Sequence, residues 1–201
     1  MRRPTTLEWM GAAIGVALTI VLAVGLLAPD HKLSLALRST ARWSFLLFWL
    51  ASCGGPLATL FGSRFSGLAA RARDFGLSFA SAHLVHLGLV AWLYFAYVGP
   101  GRFILIFFGV AAFWTYLLAF LSVRRVTATL DPRFWKILRT IGVEYISFAF
   151  LYDFARNPFG GGFLRVVAYL PFLILTVAGP LLRLAALVKK RLVRRLASEA
   201  I

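Results

Sequence analysis

Two histidines lie three residues apart within a long apolar stretch of the sequence. His83 and His86 follow Ser78 and Ser81 and have no charged neighbour from residue 75 to residue 101. On a helix, residues three apart share one face. Ionisable groups are costly inside a bilayer and therefore mark candidate sites. Neutral imidazoles at this place could ligate haem iron, relay protons or hydrogen-bond to a neighbouring helix, and two of them on one face favour a site.

A later stretch carries a carboxyl group and two phenols. Glu144, Tyr145 and Tyr152 follow Lys136. Counting about 1.5 Å per residue from the charged residue before each stretch places Glu144 about 12 Å deep and His83 about 13 Å deep. A carboxylate at that depth needs a partner or a proton, so we expect Glu144 to hydrogen-bond to His83 in a polar core that includes Tyr145. A phenol can ligate haem but more often satisfies a helix contact.

The composition indicates a membrane protein. Of the 201 residues, 61% are hydrophobic and 14% are charged, and the mean hydropathy is +0.83. Seven acidic and 22 basic residues cannot supply the polar shell of a soluble domain of this length. The net charge of +15 comes from short basic clusters between apolar runs. This pattern predicts a lipid bilayer with anionic lipids as the partner, and no nucleic acid.

Six stretches are long enough, or nearly so, to cross about 30 Å of hydrocarbon as a helix. The expected helices cover about 7–29, 42–62, 75–98, 103–123, 136–155 and 163–183, followed by a basic tail at 186–201. The fifth stretch is the least apolar, because Arg139 and Glu144 lie inside it and Asp153 lies near its end. The predicted fold is an all-α, six-helix membrane bundle that forms a single domain over residues 1–201.

Small residues predict two places of close packing. Gly11, Gly15, Thr19 and Ala23 have a four-residue spacing on the first helix, which favours a close helix contact. The segment 53–56 reads CGGP and is expected to bend or thin the second helix.

Lysine and arginine residues are concentrated on the side of the membrane that holds both predicted termini. Six of the 22 fall on the opposite side and the other sixteen on the side of the termini. The six are Lys32, Arg38, Arg42, Arg102, Arg156 and Arg165. Because positive residues are retained in the cytoplasm, both termini are expected to be cytoplasmic. The tail at 186–201 then either binds anionic headgroups or fixes the topology.

The third and fifth stretches carry residues typical of one family. Residues 71–80 read RARDFGLSFA and residues 82–86 read AHLVH. This segment resembles the third helix of the ferric reductase-like transmembrane domain, in which a basic pair and Leu-Gly-Leu precede a haem-ligating histidine at the position of His86. The family includes the membrane cores of ferric reductases and NADPH oxidases, and the haem subunit of the bacterial periplasmic methionine sulfoxide reductase system.

The fifth helix of that family commonly has Trp-Lys followed by two histidines. Residues 134–138 read FWKIL and match it, but the two histidine positions hold Arg139 and Tyr152. The resemblance implies an electron-transfer component with b-type haem on His86, in an atypical set with Tyr152 or His83, or else a relative without haem. In the second case His83, His86 and Glu144 would handle protons or a small ligand, or be structural.

The same resemblance bears on partners and location. The sequence contains no flavin or nicotinamide domain, so a redox-active chain would be a subunit of a membrane oxidoreductase that exchanges electrons with a separate protein or a quinone. The sequence alone does not decide whether the chain is an enzyme. The expected location is the bacterial inner membrane.

The charge distribution predicts the side of each connection. Reporters fused after Leu130 and after Ile201 should both give a cytoplasmic signal, and a reporter after Gly101 should give the opposite signal. Paired alkaline phosphatase and fluorescent protein fusions measure this. An external signal after Leu130 or Ile201 would contradict the six-helix arrangement with both termini in the cytoplasm.

Overall fold

The computed structural model describes residues 4–27, 32–96, 101–122, 129–156 and 162–199, and all elements in these ranges are helical. The helices are α1 (Thr6–Leu27), α2 (Lys32–Phe61), α3 (Ser66–Ala70), α4 (Ala72–Ala96), α5 (Arg102–Leu121), α6 (Pro132–Ala155) and α7 (Phe163–Glu199). A 3-10 turn, Gly62–Phe65, joins α2 to α3. The predicted all-α class is confirmed for this part of the chain.

Five segments are long and apolar enough to cross a membrane, which indicates an integral membrane protein. They are Thr6–Leu27, Leu33–Ala70, Ala72–Ala96, Arg102–Leu121 and Val166–Glu199. Helix α6 is not among them, because charged residues such as Lys136, Arg139 and Glu144 interrupt its apolar surface. The count of six spanning helices and the cytoplasmic location of both termini stay predictions.

Helices α2 and α7 extend furthest beyond their predicted bounds, and α4 and α6 begin at residues 72 and 132, before the predicted 75 and 136. Helix α2 begins at Lys32 and not near residue 42, since arginine interrupts an apolar run but is a good helix former. Helix α7 continues to Glu199, so the predicted tail is helical through that residue. The predicted ends at 28–29, 97–98, 123 and 200–201 lie outside the described residues.

The chain divides into two compact units. The first comprises Met1–Phe48 and Asp74–Ile146, and the second comprises Trp49–Arg73 and Ser147–Ile201. Helices α2 and α6 each contribute residues to both units. The prediction of a single domain over the whole chain therefore stays a prediction.

In the first unit, α1 packs through alanines. Ala13 and Ala17 are buried, and the indole Nε1 of Trp43 on α2 donates to the carbonyl oxygen of Ala13 at 3.1 Å. The predicted packing face was wrong: its four residues are exposed, and a Cβ added at Gly11 or Gly15 would meet no other atom within 4 Å. The contact with α2 is made instead by Ala13 and Ala17, which form a second stripe of small residues two positions further along the same helix.

Helices α1 and α4 begin at the same end of the first unit. The hydroxyl of Thr6 donates to Oδ1 of Asp74 at 2.7 Å, and the rings of Trp9 and Phe75 lie 5.4 Å apart. Helix α1 is closed at this end by a capping box, in which Glu8 accepts from the backbone N–H of Thr5. In a bundle whose helices alternate in direction across a bilayer, the first and third spans begin on the same side, as α1 and α4 do.

In the second unit, Gly54 lets the backbone of α3 approach α2. A Cβ at Gly54 would lie 3.0 Å from the carbonyl oxygen of Leu68 and 3.1 Å from its carbonyl carbon. The prediction that this part of α2 is thinned is confirmed, and the helix continues through Pro56. The segment after Phe61 therefore folds back along the last two turns of α2.

Helix α7 is anchored to the second unit at three levels. The indole of Trp49 donates to the carbonyl oxygen of Leu175 at 2.9 Å, and the guanidinium of Arg183 donates to Oγ of Ser147 at 2.9 Å. Nearer the end of the helix, Nζ of Lys189 donates to the carbonyl oxygen of Leu60 at 3.2 Å. Beyond Lys189, all residues of α7 are exposed.

The close approach at Gly54 predicts different effects for two adjacent glycines. Gly54→Ala should be less stable than Gly55→Ala by about 1–3 kcal/mol in the free energy of unfolding, because backbone atoms of Leu68 must move away. Gly55→Ala should cause no loss, since a Cβ there meets nothing within 4 Å and alanine favours a helix over glycine. Thermal unfolding in detergent measures both variants, and equal stabilities would contradict this account of the contact.

Candidate functional site

Helix α4 places the two histidines side by side in the first unit. The rings of His83 and His86 are stacked, with centroids 5.3 Å apart and an angle of 23° between their planes. Both side chains are partly buried, and the residues of the preceding turn, from Ser78 to Ala82, are all buried. The pair therefore lies where the buried part of α4 ends.

A threonine on α2 holds the ring of His86. Oγ1 of Thr40 lies 3.1 Å from Nδ1 of His86, and the Thr40 side chain is fully buried. The same oxygen lies 2.7 Å from the carbonyl oxygen of Ala36 and 3.2 Å from that of Leu37.

These distances favour one tautomer of His86. A hydroxyl has one hydrogen, and the shortest contact of Thr40 is to the carbonyl oxygen of Ala36, so its hydrogen points there. Oγ1 of Thr40 must then accept a hydrogen from Nδ1 of His86. In a neutral imidazole only one nitrogen carries a hydrogen. In this tautomer Nε2 of His86 is a lone-pair acceptor for a proton, a ligand or a metal.

His83 is surrounded by rings. Its centroid lies 5.5 Å from that of Phe79 and 6.5 Å from that of Tyr116 on α5, in addition to the stacked ring of His86. The hydroxyl of Tyr116 makes a long hydrogen bond of 3.4 Å to the carbonyl oxygen of Ala80. Nδ1 of His83 is buried and has no hydrogen-bond partner among the described residues. A buried polar atom in this state is unfavourable unless water or a ligand satisfies it.

The described residues do not show the expected hydrogen bond between Glu144 and His83. Nδ1 of His83 has no partner in the described part of the chain, and Glu144 lies on an exposed side of α6. The reason is the direction in which the Glu144 side chain points around its helix. The face of α6 that packs against Trp114 and Leu118 of α5 is the face of Gly142, and Glu144 lies on another face. Equal depth fixes the level of a residue along a helix but not the direction in which it points.

The two tyrosines of α6 belong to different units. Tyr145 donates to the carbonyl oxygen of Phe107 on α5 at 3.2 Å, and the two rings lie 5.8 Å apart. It therefore satisfies a helix contact in the first unit and not a polar core around the histidines. Tyr152 is half-buried in the second unit, and its pairing with His86 stays a prediction.

Thr40 and Tyr116 are site residues that the sequence did not reveal. Thr40 lies between Arg38 and Arg42, and these two charges moved the predicted start of the second helix past it. The sequence did contain a signal: Thr40, Ser44 and Phe48 have a four-residue spacing and therefore share one face of a helix. Tyr116 lies in an apolar run, where a lone phenol has no distinguishing spacing.

The pair does not fit two-sided haem ligation. Axial ligands approach an iron atom from opposite faces of the macrocycle, whereas His83 and His86 leave one face of one helix with their rings stacked. His86 alone could hold the iron of such a haem through Nε2. Histidines that bind metals donate their other ring N–H to a neighbouring group, as Nδ1 of His86 does to Thr40.

Comparison with known proteins adds no relative to this picture. The chain matches no protein-family model, no curated protein and no solved structure. The resemblance to the ferric reductase-like transmembrane domain therefore stays a prediction that rests on the residues of α4 and α6.

The bond between Thr40 and His86 predicts a specific loss of stability. Thr40→Val should lower the free energy of unfolding by about 1 kcal/mol, because the N–H of His86 loses its acceptor in a buried position. Thr115→Val is the matched control, since Thr115 is also buried but bonds only to the carbonyl oxygen of Ala111. Thermal unfolding in detergent measures both.

A double-mutant cycle isolates the pairwise contribution. Thr40→Val should be less destabilising in a His86→Leu background, because the donor that loses its acceptor is no longer present. Equal losses in both backgrounds would contradict the hydrogen bond.

Proposed function

We propose that the His83–His86 pair is a proton-handling centre inside the membrane. The observation that supports this most directly is the hydrogen bond from Nδ1 of His86 to Thr40, which leaves the lone pair of Nε2 for an incoming proton. Histidine suits this role because its ordinary pKa lies near neutral pH. A proton can bind at Nε2 and leave again from the same nitrogen to a second water or ligand, which returns the ring to its starting neutral form.

The buried surroundings of the pair support this function over a structural role. A structural histidine is expected to have both ring nitrogens satisfied by neighbouring helices. Here Nδ1 of His83 is buried without a partner in the described part of the chain. Holding such a group inside a membrane is costly in free energy. A site that exchanges protons or binds a small protic ligand would explain why the group is present.

The second candidate function is electron transfer through b-type haem. Nε2 of His86 is the atom that would bind the iron, and the bond of Nδ1 to Thr40 would orient the ring for it. Such a haem would supply reversible one-electron chemistry. The electron donor and acceptor would be a separate redox protein or a quinone, and the chain would be a subunit of a membrane oxidoreductase related to the ferric reductase-like family.

Two further properties belong to either function. We propose that the chain resides in a bacterial inner membrane with both termini in the cytoplasm, because of the excess of basic residues on that side. The end of α7 would then bind anionic headgroups, since four of its exposed basic residues share one face while Val188, Leu192 and Leu196 share another. The four are Lys190, Arg191, Arg194 and Arg195.

Exchanging all four for glutamine should abolish the enrichment of anionic lipid in the purified protein, and unchanged enrichment would contradict this role.

One preparation separates the two candidate functions. The purified protein is examined for a Soret band and then reconstituted into vesicles that contain a pH-sensitive dye. For the first function we expect no Soret band and a potential-driven proton flux that His86→Ala lowers to the level of empty vesicles. For the second we expect a Soret band that His86→Ala abolishes.

His31→Ala is the control for both measurements, because His31 lies outside the apolar stretches of the sequence. It should change neither the Soret band nor the flux. A wild-type protein with neither a Soret band nor a flux above that of empty vesicles would refute both functions.

A further inference from the structure

Helices α2 and α4 face each other through two short stripes. Thr40 contacts His86, and the rings of Phe48 and Phe79 lie 5.3 Å apart. As the numbers rise along α2 they fall along α4, so the two helices are antiparallel. The stripe of α2 that faces α4 is therefore Thr40, Ser44 and Phe48, and the stripe of α4 is Ser78, Ala82 and His86, each at four-residue spacing.

Two serines on these stripes have hydroxyl groups without partners. Ser44 and Ser78 are fully buried, and Oγ of neither makes a hydrogen bond to any described residue. Buried serines on helices commonly donate to the carbonyl oxygen four residues earlier, as Ser81 does to Leu77 at 2.9 Å. Together with Nδ1 of His83, these are all three of the buried side-chain polar atoms without partners in the described part of the chain.

The three atoms occupy neighbouring levels of one region. Ser44 lies one turn from Thr40, Ser78 lies two turns before His86, and His83 lies one turn before His86. Unsatisfied polar atoms scattered over a bundle would be separate packing defects. Two of them on one helix contact, and a third on the ring stacked against His86, have a common explanation in bound water.

We propose that water occupies the contact between α2 and α4 and forms a hydrogen-bonded path for protons through Ser78, Ser44 and the His83–His86 pair. This inference rests on the proposed proton-handling function and names its route. Each water would satisfy a serine hydroxyl or Nδ1 of His83, since buried waters make two to four hydrogen bonds to polar groups.

The polar groups of the contact lie along one part of it. Helix α4 carries Asp74, Ser78, Ser81, His83 and His86 and has no polar side chain from residue 87 to residue 91. On α2, Ser44 is followed by an apolar run over residues 45–48. Because the helices are antiparallel, Ser44 lies level with the part of α4 between Ser78 and His86. The proposed route therefore runs along this part of the contact and ends at Thr40 and His86.

Proton passage needs no net chemistry: a proton taken up by an imidazole lone pair on one side is balanced by one released to water on the other.

The test is transfer of magnetisation from water to the imidazoles, measured by solid-state NMR on the full chain in vesicles with ¹⁵N-labelled histidine. The chain has three histidines, so His31→Ala and His83→Asn assign the signals. We expect transfer to the His83 ring in the wild-type protein and its loss in Ser44→Val, which removes a hydroxyl and fills its space. Ser81→Val is the matched control and should keep the transfer, because the Ser81 hydroxyl is already satisfied by Leu77.

Each outcome decides the proposal. Absence of transfer in the wild-type protein would show a dry contact and overturn the proposal. Equal transfer in the two valine variants would show that water reaches His83 without Ser44, and it would overturn the proposed route. If Ser44→Val fails to fold, Ser44→Ala gives the answer through its unfolding temperature. Removing an unsatisfied hydroxyl from a dry contact raises that temperature, whereas removing one that binds water lowers it.

The result is independent of the proton-flux measurement. A flux that depends on His86 without transfer from water would leave the proton-handling function intact and exclude this route. Transfer from water without a flux would keep the hydrated contact and refute its function.

Discussion

The structure of the first unit depends on one constraint: a polar group inside a membrane must find a partner. The hydrogen bond between Nδ1 of His86 and Oγ1 of Thr40 meets this constraint for one imidazole nitrogen, and it fixes α2 against α4 at one register. The register in turn places Ser44 and Ala82 at the same contact. The properties of the site follow from this bond, because it determines which nitrogen of His86 carries the hydrogen and which one is left for chemistry.

The same constraint explains how other helices are held. Trp43 and Tyr145 each use a side-chain donor to reach a backbone carbonyl oxygen of a neighbouring helix within the first unit, and Trp49 does the same within the second. Small residues provide the remaining contacts. Gly142 lies against Trp114 and Leu118, and Gly54 lies against the backbone of Leu68. Hydrogen bonds and close packing thus replace the hydrophobic drive that lipid does not supply.

The sequence predicted the helical class and the face shared by His83 and His86, because both follow from apolar runs and helical spacing. It did not predict Thr40 as the partner of His86, since charges were used to bound the helix and charges at 38 and 42 lie beside it. It paired Glu144 with His83 from depth alone, which carries no information on the direction of a side chain around its helix. It also chose the wrong small-residue stripe of α1, since Gly11 and Ala13 both begin stripes of suitable spacing.

The central claim is that His86 holds its hydrogen on Nδ1 and presents a lone pair at Nε2. Solid-state ¹⁵N NMR of labelled histidine in vesicles measures this directly, because protonated and unprotonated ring nitrogens have well-separated chemical shifts. The account predicts a protonated Nδ1 close to the Thr40 side chain and an unprotonated Nε2. A hydrogen on Nε2 with a bare Nδ1 would contradict it, because Thr40 would then be the donor and the lone pair proposed for chemistry would already be used.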